Sequence, residues 1–295
     1  MKASILINNY NYGRYLSECI ESAIGQTHDD YEIILYDDGS SDNSLSVART
    51  FSSHLQLLER ENFGKHPSLN QANAIFQALR ASSGDIVCLL DSDDAFFAEK
   101  VEQVVAAFNT HPNAVLVQHL FEEIDSKSMR TGTIRPQIRE GDPLEIMLSE
   151  CTLTGLFAQT SALSFRRGYL EEVLPIEEDP YEKIWPDVRL TRQAVFYGGI
   201  VTIREPLSMY RLHGHNDSLK LKNLSYLKEV IVQMYGFFNE ALAKRGMGKL
   251  SATESVEYRN IMAQEARNQM AKRNTFSMRK LKSIFSDQSW FGRHF

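Results

Sequence analysis

The chain has 295 residues, 43% of them hydrophobic, enough for one large domain or one domain with a substantial appendage. Its formal net charge of -6 provides no overall basic field of the kind that nucleic-acid binding usually needs, so no nucleic-acid partner is expected. The three cysteines, Cys19, Cys88 and Cys151, show neither metal-ligand spacing nor a disulfide framework, which predicts a cytoplasmic location.

From residue 3 to about 118, short apolar runs alternate with segments of helical period, a pattern typical of an α/β sheet. The predicted strands are SILI, YEIILY, LQLLE, DIVCLL and AVLVQHL. Helices are predicted over 15–24, 67–82 and 97–110, between strands, and such connections indicate parallel pairing.

Beyond residue 120 the alternation weakens, and the polar stretch EEIDSKSMRTGTIRPQIREGDP predicts turns with a hairpin or a flexible segment. TSALSFRR, GGIVTI and LSMYRLHG are predicted strands, with a helix beginning near Pro186. From about residue 223 the period is helical, with breaks at KRGMGKLS and NTFS. We therefore expect a domain over 1–220, with halves of about 1–118 and 119–220, followed by a helical region over 221–295.

The apolar opening ASILI stops at Asn8 and Asn9, which is too short for a signal-peptide core. No stretch approaches the ~20 apolar residues of a membrane span. The expectation is a chain that is neither exported by a standard signal nor threaded through a bilayer.

Two acidic loops follow predicted strands, where ligands of open α/β sheets bind. In YDDGSSDNS, Asp37 and Asp38 end the second strand and Gly39 permits a tight turn. This loop is equally compatible with a simple strand-turn-helix corner in which Ser41 or Asp42 caps the helix.

The second acidic loop, CLLDSDDAFF, places Asp91, Asp93 and Asp94 directly behind an apolar strand. Carboxylates this close repel one another, and a divalent cation held by oxygen ligands is the usual reason to tolerate them. An ordinary acidic surface turn is the alternative. A calcium EF-hand is excluded because neither loop has both its mid-loop glycine and its final glutamate. A haloacid-dehalogenase-type phosphatase remains a rival, although DSDDA lacks the hydroxylated or β-branched residue that usually follows.

Four segments in order resemble the motifs of family 2 glycosyltransferases, whose nucleotide-sugar-binding domain has the GT-A fold. The N-terminal signature of the family resembles SILINNYNYGRYLSECIESAIGQTHDDYEIILYDDGSSDNS, and its Asn-x-Gly loop resembles NFGKHPSLNQA. Its DxD segment resembles GDIVCLLDSDD, and its late Tyr-Arg-x-His element resembles YRLHGHNDS. The resemblance covers about residues 3–218. It implies an α/β GT-A domain, with the nucleotide sugar in the first half and the acceptor in the second, and a C-terminal helical appendage.

By this resemblance, Asp93 is the direct metal ligand, Asp91 faces the ribose or the metal, and Asp94 lies behind them or near the donor sugar. The implied cofactor is Mn²⁺ or Mg²⁺, which neutralises the diphosphate leaving group. The other residues that the resemblance places around the nucleotide sugar are Asn8, Tyr10, Asn11, Asp38, Asn62 and Asn70. Asp38 would accept a hydrogen bond from the base. A proline and a threonine usually stand where this chain has Asn8 and Asn9, which leaves the base open, although a UDP-sugar is favoured.

The family carries a carboxylate general base at the start of a helix after the DxD strand, because a hydroxyl acceptor cannot attack unaided. EKIWPDVRLTRQAVFYGG matches that segment and indicates Asp187 as the base, with Glu182 and Asp179 as substitutes. An aspartate in a first helical turn is also favoured by the helix dipole alone. The acidic neighbour usual in the family is replaced here by Pro186.

The late element places His213 at the metal or the diphosphate and Arg211 beside the leaving group. His215 is expected to face solvent. Lys65 and His66 could approach phosphate, but a surface loop is the favoured interpretation.

The expected reaction is an inverting, metal-dependent transfer of one sugar to a hydroxyl of a growing glycan or lipid-linked saccharide. Two alternatives remain at this point. A nucleotidyl or phosphoryl transferase would normally show a glycine-rich phosphate loop, and NNYNYGRY has one glycine. An inactive glycan- or partner-binding module is disfavoured by the intact acidic set, because unpaired carboxylates cost stability.

The C-terminal sequence FSMRKLKSIFSDQSWFGRHF predicts a short basic amphipathic helix. Met278, Leu281, Ile284 and Phe285 would share one side. Such a segment can lie at an anionic membrane surface, which would place the protein peripherally at the inner face of the membrane. Packing against the preceding helices or a second subunit is the favoured alternative.

Overall fold

The computed structural model describes residues 1–214 and 216–286, without the side chains of 217, 218 and 272–286. The strands are β1 (Ala3–Asn9), β2 (Tyr31–Asp38), β3 (Gln56–Arg60), β4 (Ile86–Asp91), β5 (Ala95–Phe96), β6 (Ala114–Ile124), β7 (Arg130–Arg135), β8 (Leu163–Arg166) and β9 (Gly199–Arg211). The helices are α1 (Gly13–Ile24), α2 (Ser44–Thr50), α3 (Pro67–Ala81), α4 (Lys100–Thr110), α5 (Pro143–Glu150), α6 (Arg167–Val173), α7 (Pro186–Ala194), α8 (Leu224–Ala243) and α9 (Val256–Ser286).

The described strands form one mixed sheet in the order β3-β2-β1-β4-β8-β6-β9-β5, with β7 paired to β6. The pairs β1-β2, β1-β4 and β2-β3 are parallel, whereas β8 runs antiparallel to β4 and β6. Asn8 on β1 stands opposite Tyr36 on β2 and Asp91 on β4. The carboxyl ends of β1, β2 and β4 therefore meet at one edge of the sheet.

Helices cover both faces of the sheet, and each face has its own apolar core. On one face, α1 buries Leu16 and Ile20 and α4 buries Val101 and Val104. On the other face, α3 shares a core with α5 to α9, and Ile75 of α3 belongs to the same buried cluster. The sequence explains this arrangement most clearly for α1, α3 and α4, which repeat apolar residues at helical spacing.

The C-terminal helices contribute to the second core. The side chains of α8 that belong to this cluster are Ile231, Met234, Tyr235, Phe238 and Leu242. The division into a domain over 1–220 and a helical region over 221–295 stays a prediction.

The five strands predicted before residue 120 are confirmed, as are the parallel pairing of the first four, the helices over 15–24 and 67–82 and the helix from Pro186. The expected hairpin is the antiparallel pair β6-β7. The helix predicted over 97–110 begins instead at Lys100, because the preceding residues form β5 and a turn.

Three features differ from the sequence prediction. GGIVTI and LSMYRLHG form one strand, β9, because register shifts against β6 accommodate the residues between them. Helices α5 and α6 were not predicted. The break expected at NTFS is wrong, since α9 continues through it, and asparagine, threonine and serine lower helix propensity only modestly.

Within residues 1–214 and 216–286, no helix combines the length and the apolar character needed to cross a bilayer. The side chains of the amphipathic helix predicted from Met278 are not among those described. The residues beyond Ser286 also lie outside the described part of the chain. His215, expected to face solvent, also lies outside it.

Candidate active site

A cleft of about 1100 Å³ opens at the carboxyl ends of β1, β2 and β4. It extends from this edge across the sheet to α7 and β9. The predicted site residues that line it are Asn8, Tyr10, Asn11, Asp38, Asn70, Asp91, Asp93, Asp187 and His213. The sheet therefore brings most of the predicted positions into one cavity, at the place where ligands bind in open α/β sheets.

At one end of the cleft, the carboxylate of Asp38 is held by the loop that follows β3. Its Oδ1 accepts a hydrogen bond from the Phe63 N–H at 3.1 Å, and its Oδ2 accepts one from Asn62 Nδ2 at 2.8 Å. Burial raises the pKa of Asp38, against the opposing effects of the Phe63 N–H and Asn70. Each carboxylate oxygen still has acceptor capacity for a ligand.

Gly39 is required by the contact between the two loops. Its φ is +75°, and a Cβ built there would lie 2.6 Å from the Asn62 nitrogen. Only glycine combines this left-handed conformation with such a close approach. Asn62 does not line the cleft; its Oδ1 instead accepts from the Gly64 N–H at 2.9 Å and from Asn70 Nδ2 at 3.3 Å.

The loops after β1 and β2 are cross-linked by their own side chains. Asn11 Oδ1 accepts a hydrogen bond from the Ser41 N–H at 2.8 Å. Asp42 accepts from the Gly13 N–H at the start of α1 and from the Ser44 N–H at the start of α2, both at 2.9 Å. The N-cap residue of α2 is Asn43, so the prediction of Ser41 or Asp42 is wrong by at least one position. Asp42 nevertheless binds the first N–H group of both helices with one carboxylate.

Asn8 and Tyr10 present different surfaces to the cleft. Asn8 is 9% exposed, and neither atom of its side-chain amide has a hydrogen-bond partner. Tyr10 is 50% exposed. A buried amide without a partner costs free energy, which a polar ligand in the cleft would recover.

The three aspartates behind β4 have distinct environments. Asp91 Oδ1 accepts a hydrogen bond from Gln71 Nε2 at 2.8 Å. Asp94 is buried and accepts from Ser161 Oγ at 2.7 Å and from the Arg211 N–H at 2.8 Å. Asp93 lines the cleft, whereas Asp94 does not. The structure thus separates the side chain that supports this turn from the two that face the cleft.

Burial dominates the electrostatics of this turn, and repulsion between its carboxylates adds to the effect of burial. Burial and the negative charges of Asp93 and Asp187 raise the pKa of Asp91 to about 8. The pKa of Asp94 is raised by burial and by Asp93 and Asp91. A cation beside these carboxylates would favour their charged forms.

His213 joins the acidic turn from the other side of the cleft. Its Nε2 lies 2.8 Å from Asp93 Oδ2. Its ring stacks on Tyr15, with centroids 5.4 Å apart and an interplanar angle of 24°. The imidazole is therefore held against Asp93 by packing as well as by the hydrogen bond.

Arg211 lies beneath the turn and not in the cleft. Its side chain is fully buried; Nε donates to the Asp93 carbonyl oxygen at 2.6 Å and Nη2 donates to Glu18 Oε2 at 2.7 Å. Its guanidinium also lies 4.6 Å from the centroid of the Tyr15 ring. The observed contacts are those of a residue that supports the turn, and its predicted contact with a leaving group stays a prediction.

The donor set suits a hard divalent cation. Mg²⁺ sites commonly use one or two protein carboxylates together with substrate phosphates, and Asp91 and Asp93 meet that requirement. In the part of the chain that the structure describes, no three His, Cys, Asp or Glu side chains form a complete ligand set. These residues therefore fit a cation shared with a bound diphosphate, and do not fit a closed protein cage.

Asp187 lies on the opposite wall, in the first turn of α7 behind Pro186. Its Oδ1 accepts a hydrogen bond from the Val188 N–H at 2.8 Å. Burial raises its pKa, and the positive charge of Arg192 opposes that rise. This carboxylate is separated in sequence from the acidic turn but lies in the same cleft.

Of the substitutes considered for Asp187, neither lines the cleft. Asp179 forms two hydrogen bonds with the buried Arg189, at 2.6 and 2.9 Å. Glu182 is exposed.

Lys65 pairs with Glu178 at 3.0 Å on the surface, as the surface interpretation of that loop predicts. His66 caps α3.

Sequence reasoning missed several residues that shape the site. Gln71 on α3 binds Asp91, Ser161 binds Asp94, and Glu18 on α1 pairs with Arg211. Gln71 follows the predicted Asn70 directly, which is a usable signal. No local sequence signal indicates Ser161 or Glu18, because their partners lie 67 and 193 positions away along the chain.

Comparisons with known proteins agree with this architecture. Residues 4–174 match the model of the family described as Glycosyl transferase family 2. An uncharacterized glycosyltransferase of Nostoc sp. is 34% identical over 275 residues, covering 88% of this chain and 81% of that relative. An uncharacterized glycosyltransferase of Rickettsia prowazekii is 31% identical over 137 residues, which are 46% of this chain and 41% of that relative.

Solved structures share the fold at low identity. S. aureus TarS 1-349 in complex with UDP-GlcNAc aligns over 82% of this chain and 72% of that chain, with a TM-score of 0.57 and 18% identity. The mannosyltransferase PcManGT from Pyrobaculum calidifontis, in complex with GDP-Man and Mn²⁺, aligns over 99% and 88%, with a TM-score of 0.55 and 14% identity. The chain belongs to glycosyl transferase family 2 and is a glycosyltransferase with the GT-A fold.

Proposed function

We propose that the protein transfers one sugar from a nucleotide diphospho-sugar to a hydroxyl acceptor in a single displacement, with inversion at the anomeric carbon. The observation that carries this proposal is the cleft itself: a carboxylate pair, Asp91 and Asp93, and a separate carboxylate, Asp187, face the same cavity. One group can serve the leaving diphosphate and the other the attacking hydroxyl.

Asp93 and Asp91, with His213 beside Asp93, would hold a divalent cation such as Mn²⁺ or Mg²⁺. When bound, this cation neutralises the negative charge that develops on the diphosphate leaving group. Solved neighbours in complex with Mg²⁺ and UDP, or with Mn²⁺ and GDP-Man, support the choice of metal. Arg211 fixes the backbone of the turn through the Asp93 carbonyl oxygen and acts as a positioning residue.

For the donor we propose a UDP-sugar. Tyr10 is exposed at the cleft and offers a ring against which a base can stack, while Asp38 and the unpartnered amide of Asn8 offer acceptors and a donor to its edge. Complexes of S. aureus TarS with UDP and with UDP-GlcNAc support this choice. Asn11, Asn62 and Asn70 hold the loops that form this subsite.

Asp187 is proposed as the general base that takes the proton of the acceptor hydroxyl. The cleft beside it is lined by aromatic side chains, among them Trp185, Tyr210 and Tyr226. Aromatic faces of this kind suit a sugar ring, so the acceptor is proposed to be a saccharide, free or attached to a lipid. A raised pKa brings Asp187 closer to the range in which a base is efficient.

The test begins with a panel of UDP- and GDP-sugars, each measured by thermal shift with Mn²⁺, with Mg²⁺ and with a chelator. The true donor raises the melting temperature by mass action, and fully only with metal. That donor is then incubated with saccharide acceptors, and the anomeric configuration of the product is read by NMR. Equal shifts with metal and chelator would overturn the metal assignment, and a product that retains the donor's configuration would overturn the single displacement.

A further inference from the structure

A buried glutamate on the C-terminal helix α9 holds the loop 152–154, which follows α5. Glu257 is 8% exposed, and its Oε1 accepts four hydrogen bonds. The donors are Thr152 Oγ1 at 2.6 Å, the Leu153 N–H at 2.8 Å, the Thr154 N–H at 3.0 Å and Thr154 Oγ1 at 2.8 Å. One carboxylate oxygen on α9 thus fixes three consecutive residues of the loop.

The other oxygen of Glu257 has a separate partner. Its Oε2 accepts a hydrogen bond from the Tyr235 hydroxyl on α8 at 2.9 Å. Burial opposes ionisation of Glu257, but the bonds from Thr152, Thr154 and Leu153 outweigh it and lower its pKa. The group is therefore a charged carboxylate with one oxygen facing the loop and the other facing α8.

The loop in turn holds Arg192, a residue of α7 that lines the cleft. Arg192 Nη2 and Nε donate to the Leu153 carbonyl oxygen at 2.8 and 3.2 Å. Its Nη1 donates to Thr191 Oγ1 at 2.8 Å, and its guanidinium lies 4.9 Å from the centroid of the Phe157 ring. The guanidinium is anchored by the same short loop that Glu257 holds.

The charge of Arg192 interacts with those of two carboxylates. Burial lowers the pKa of Arg192 to about 10, and the negative charges of Asp187 and Glu257 oppose that effect. Arg192 is thus a positive group that favours the ionised form of Asp187. Its position decides how strongly it does so, because the interaction of two charges in a partly buried site depends steeply on distance. Arg192 is also joined to the Asp187 backbone, because Thr191 Oγ1, which accepts from Arg192, donates to the Asp187 carbonyl oxygen at 2.7 Å.

We infer that Glu257 is a positioning residue for sugar transfer: through the loop 152–154 it fixes Arg192, and Arg192 in turn supplies positive charge on the helix that carries the base Asp187. This role rests on the proposed function, since Asp187 is there the base. If Glu257 has this role, the C-terminal helix α9 contributes to the reaction as well as to the packing of the core. The donor subsite, formed by the loops after β1, β2 and β4, does not share these contacts.

The experiment compares Glu257→Ala with Tyr235→Phe in the full chain. Tyr235→Phe keeps the ring, removes the hydrogen bonds to Oε2 and to the Cys151 carbonyl oxygen, and leaves the four bonds to Oε1, so it measures the effect of losing the contact with α8. Turnover is followed as nucleoside diphosphate released from the best donor of the panel, with water or a saccharide as acceptor. Melting temperature, kcat and donor KM are measured for each variant.

We expect Glu257→Ala to lower kcat roughly 10- to 100-fold with donor KM unchanged, since a small misplacement at the reacting groups has effects of this size. Tyr235→Phe should leave kcat within about twofold of wild type. Glu257→Gln, which keeps an acceptor oxygen for the loop, should recover part of the loss. The kcat effects of Glu257→Ala and Arg192→Lys should be less than additive, because both act through one contact.

Equal kcat in Glu257→Ala and Tyr235→Phe, or a rise in donor KM that accounts for the whole loss, would overturn the positioning role while leaving the proposed function intact. Additive effects of Glu257→Ala and Arg192→Lys would also overturn it. Absence of turnover by the wild type with every donor would instead refute the proposed function, and this role with it.

Discussion

The two walls of the cleft are built in different ways. On the nucleotide wall, residues after β1, β2 and β4 are held by neighbours in short loops, such as Asn11 with Ser41 and Asp38 with Phe63. On the opposite wall, called the acceptor wall after the proposed function, Arg192 favours the ionised form of Asp187 and is anchored by a loop from a different part of the chain. Strand-end motifs are thus sufficient for one wall, whereas the other depends on contacts between segments that no motif connects.

The largest expected effect tests the acceptor wall. Asp187→Asn keeps the shape of the side chain but cannot accept a proton, so sugar transfer should fall ~10²- to 10⁴-fold with donor affinity retained. Donor binding is measured by calorimetry and transfer by product formation. Glu182→Gln, an exposed change in the same segment, is the control and should be neutral. Wild-type transfer by Asp187→Asn would assign the base to another residue.

The nucleotide wall should respond in binding. Asp93→Ala removes the predicted metal ligand that contacts His213, and should weaken metal-dependent binding of the nucleoside diphosphate by at least ~10- to 100-fold, the range found when supports of metal ligands are lost. Calorimetry with Mn²⁺ and with chelator measures it. Asp29→Asn, at the opposite edge of the sheet, is the control. An affinity that is the same for wild type and Asp93→Ala would contradict the assignment.

Gly39 gives a sharper test of the nucleotide wall because the chain offers a matched glycine. Gly39 and Gly132 have φ values of +75° and +74°, but a Cβ would clash with Asn62 only at Gly39. Gly132→Ala should cost only the left-handed strain, roughly 1–2 kcal/mol. Gly39→Ala should lower the melting temperature further and weaken nucleotide binding. Equal losses in both variants would show that the loop contact is unimportant.

The smallest effect concerns the edge of the sheet opposite the site. Although burial opposes ionisation of Glu32, hydrogen bonds from the Ser83 N–H, Lys2 and Ser4 lower its pKa to about 2, from an ordinary value of 4.5. Because the pKa is lowered on folding, the stabilisation is complete above about pH 5 and is lost as pH falls towards 2. Glu32→Gln should therefore destabilise the protein by about 1–2 kcal/mol at pH 7, and less at pH 4.

Urea unfolding at the two pH values measures the effect of Glu32→Gln on the free energy of unfolding. Sugar transfer should be unchanged under conditions in which the variant is folded. Glu59→Gln is the control, since Glu59 pairs with Arg49 at the exposed surface and such pairs contribute about 0–1 kcal/mol. A destabilisation by Glu32→Gln that does not depend on pH would contradict the ionised role of Glu32.

The residues of the nucleotide wall could be predicted from the sequence because they lie in short motifs directly after strands. Apolar runs predicted the parallel strands, and the acidic residues that end β2 and β4 follow directly in the chain. Sequence reasoning reached Asp187 through the resemblance to family 2 glycosyltransferases, which places a carboxylate at the start of this helix. It could not reach Glu257, whose loop partners lie more than a hundred positions away, or predict that Arg211 is buried beneath the turn. Periodicity likewise missed α5 and α6, which are short and lie in the segment of mixed pattern.

The two hydrogen bonds of Asp42 to the starts of α1 and α2 have a consequence for donor binding. One carboxylate fixes the starts of both α1 and α2, so the loops after β1 and β2 are coupled to each other before any ligand arrives. A preorganised subsite loses little conformational entropy when a ligand binds. We therefore expect the loops after β1 and β2 to change little in conformation when the donor binds.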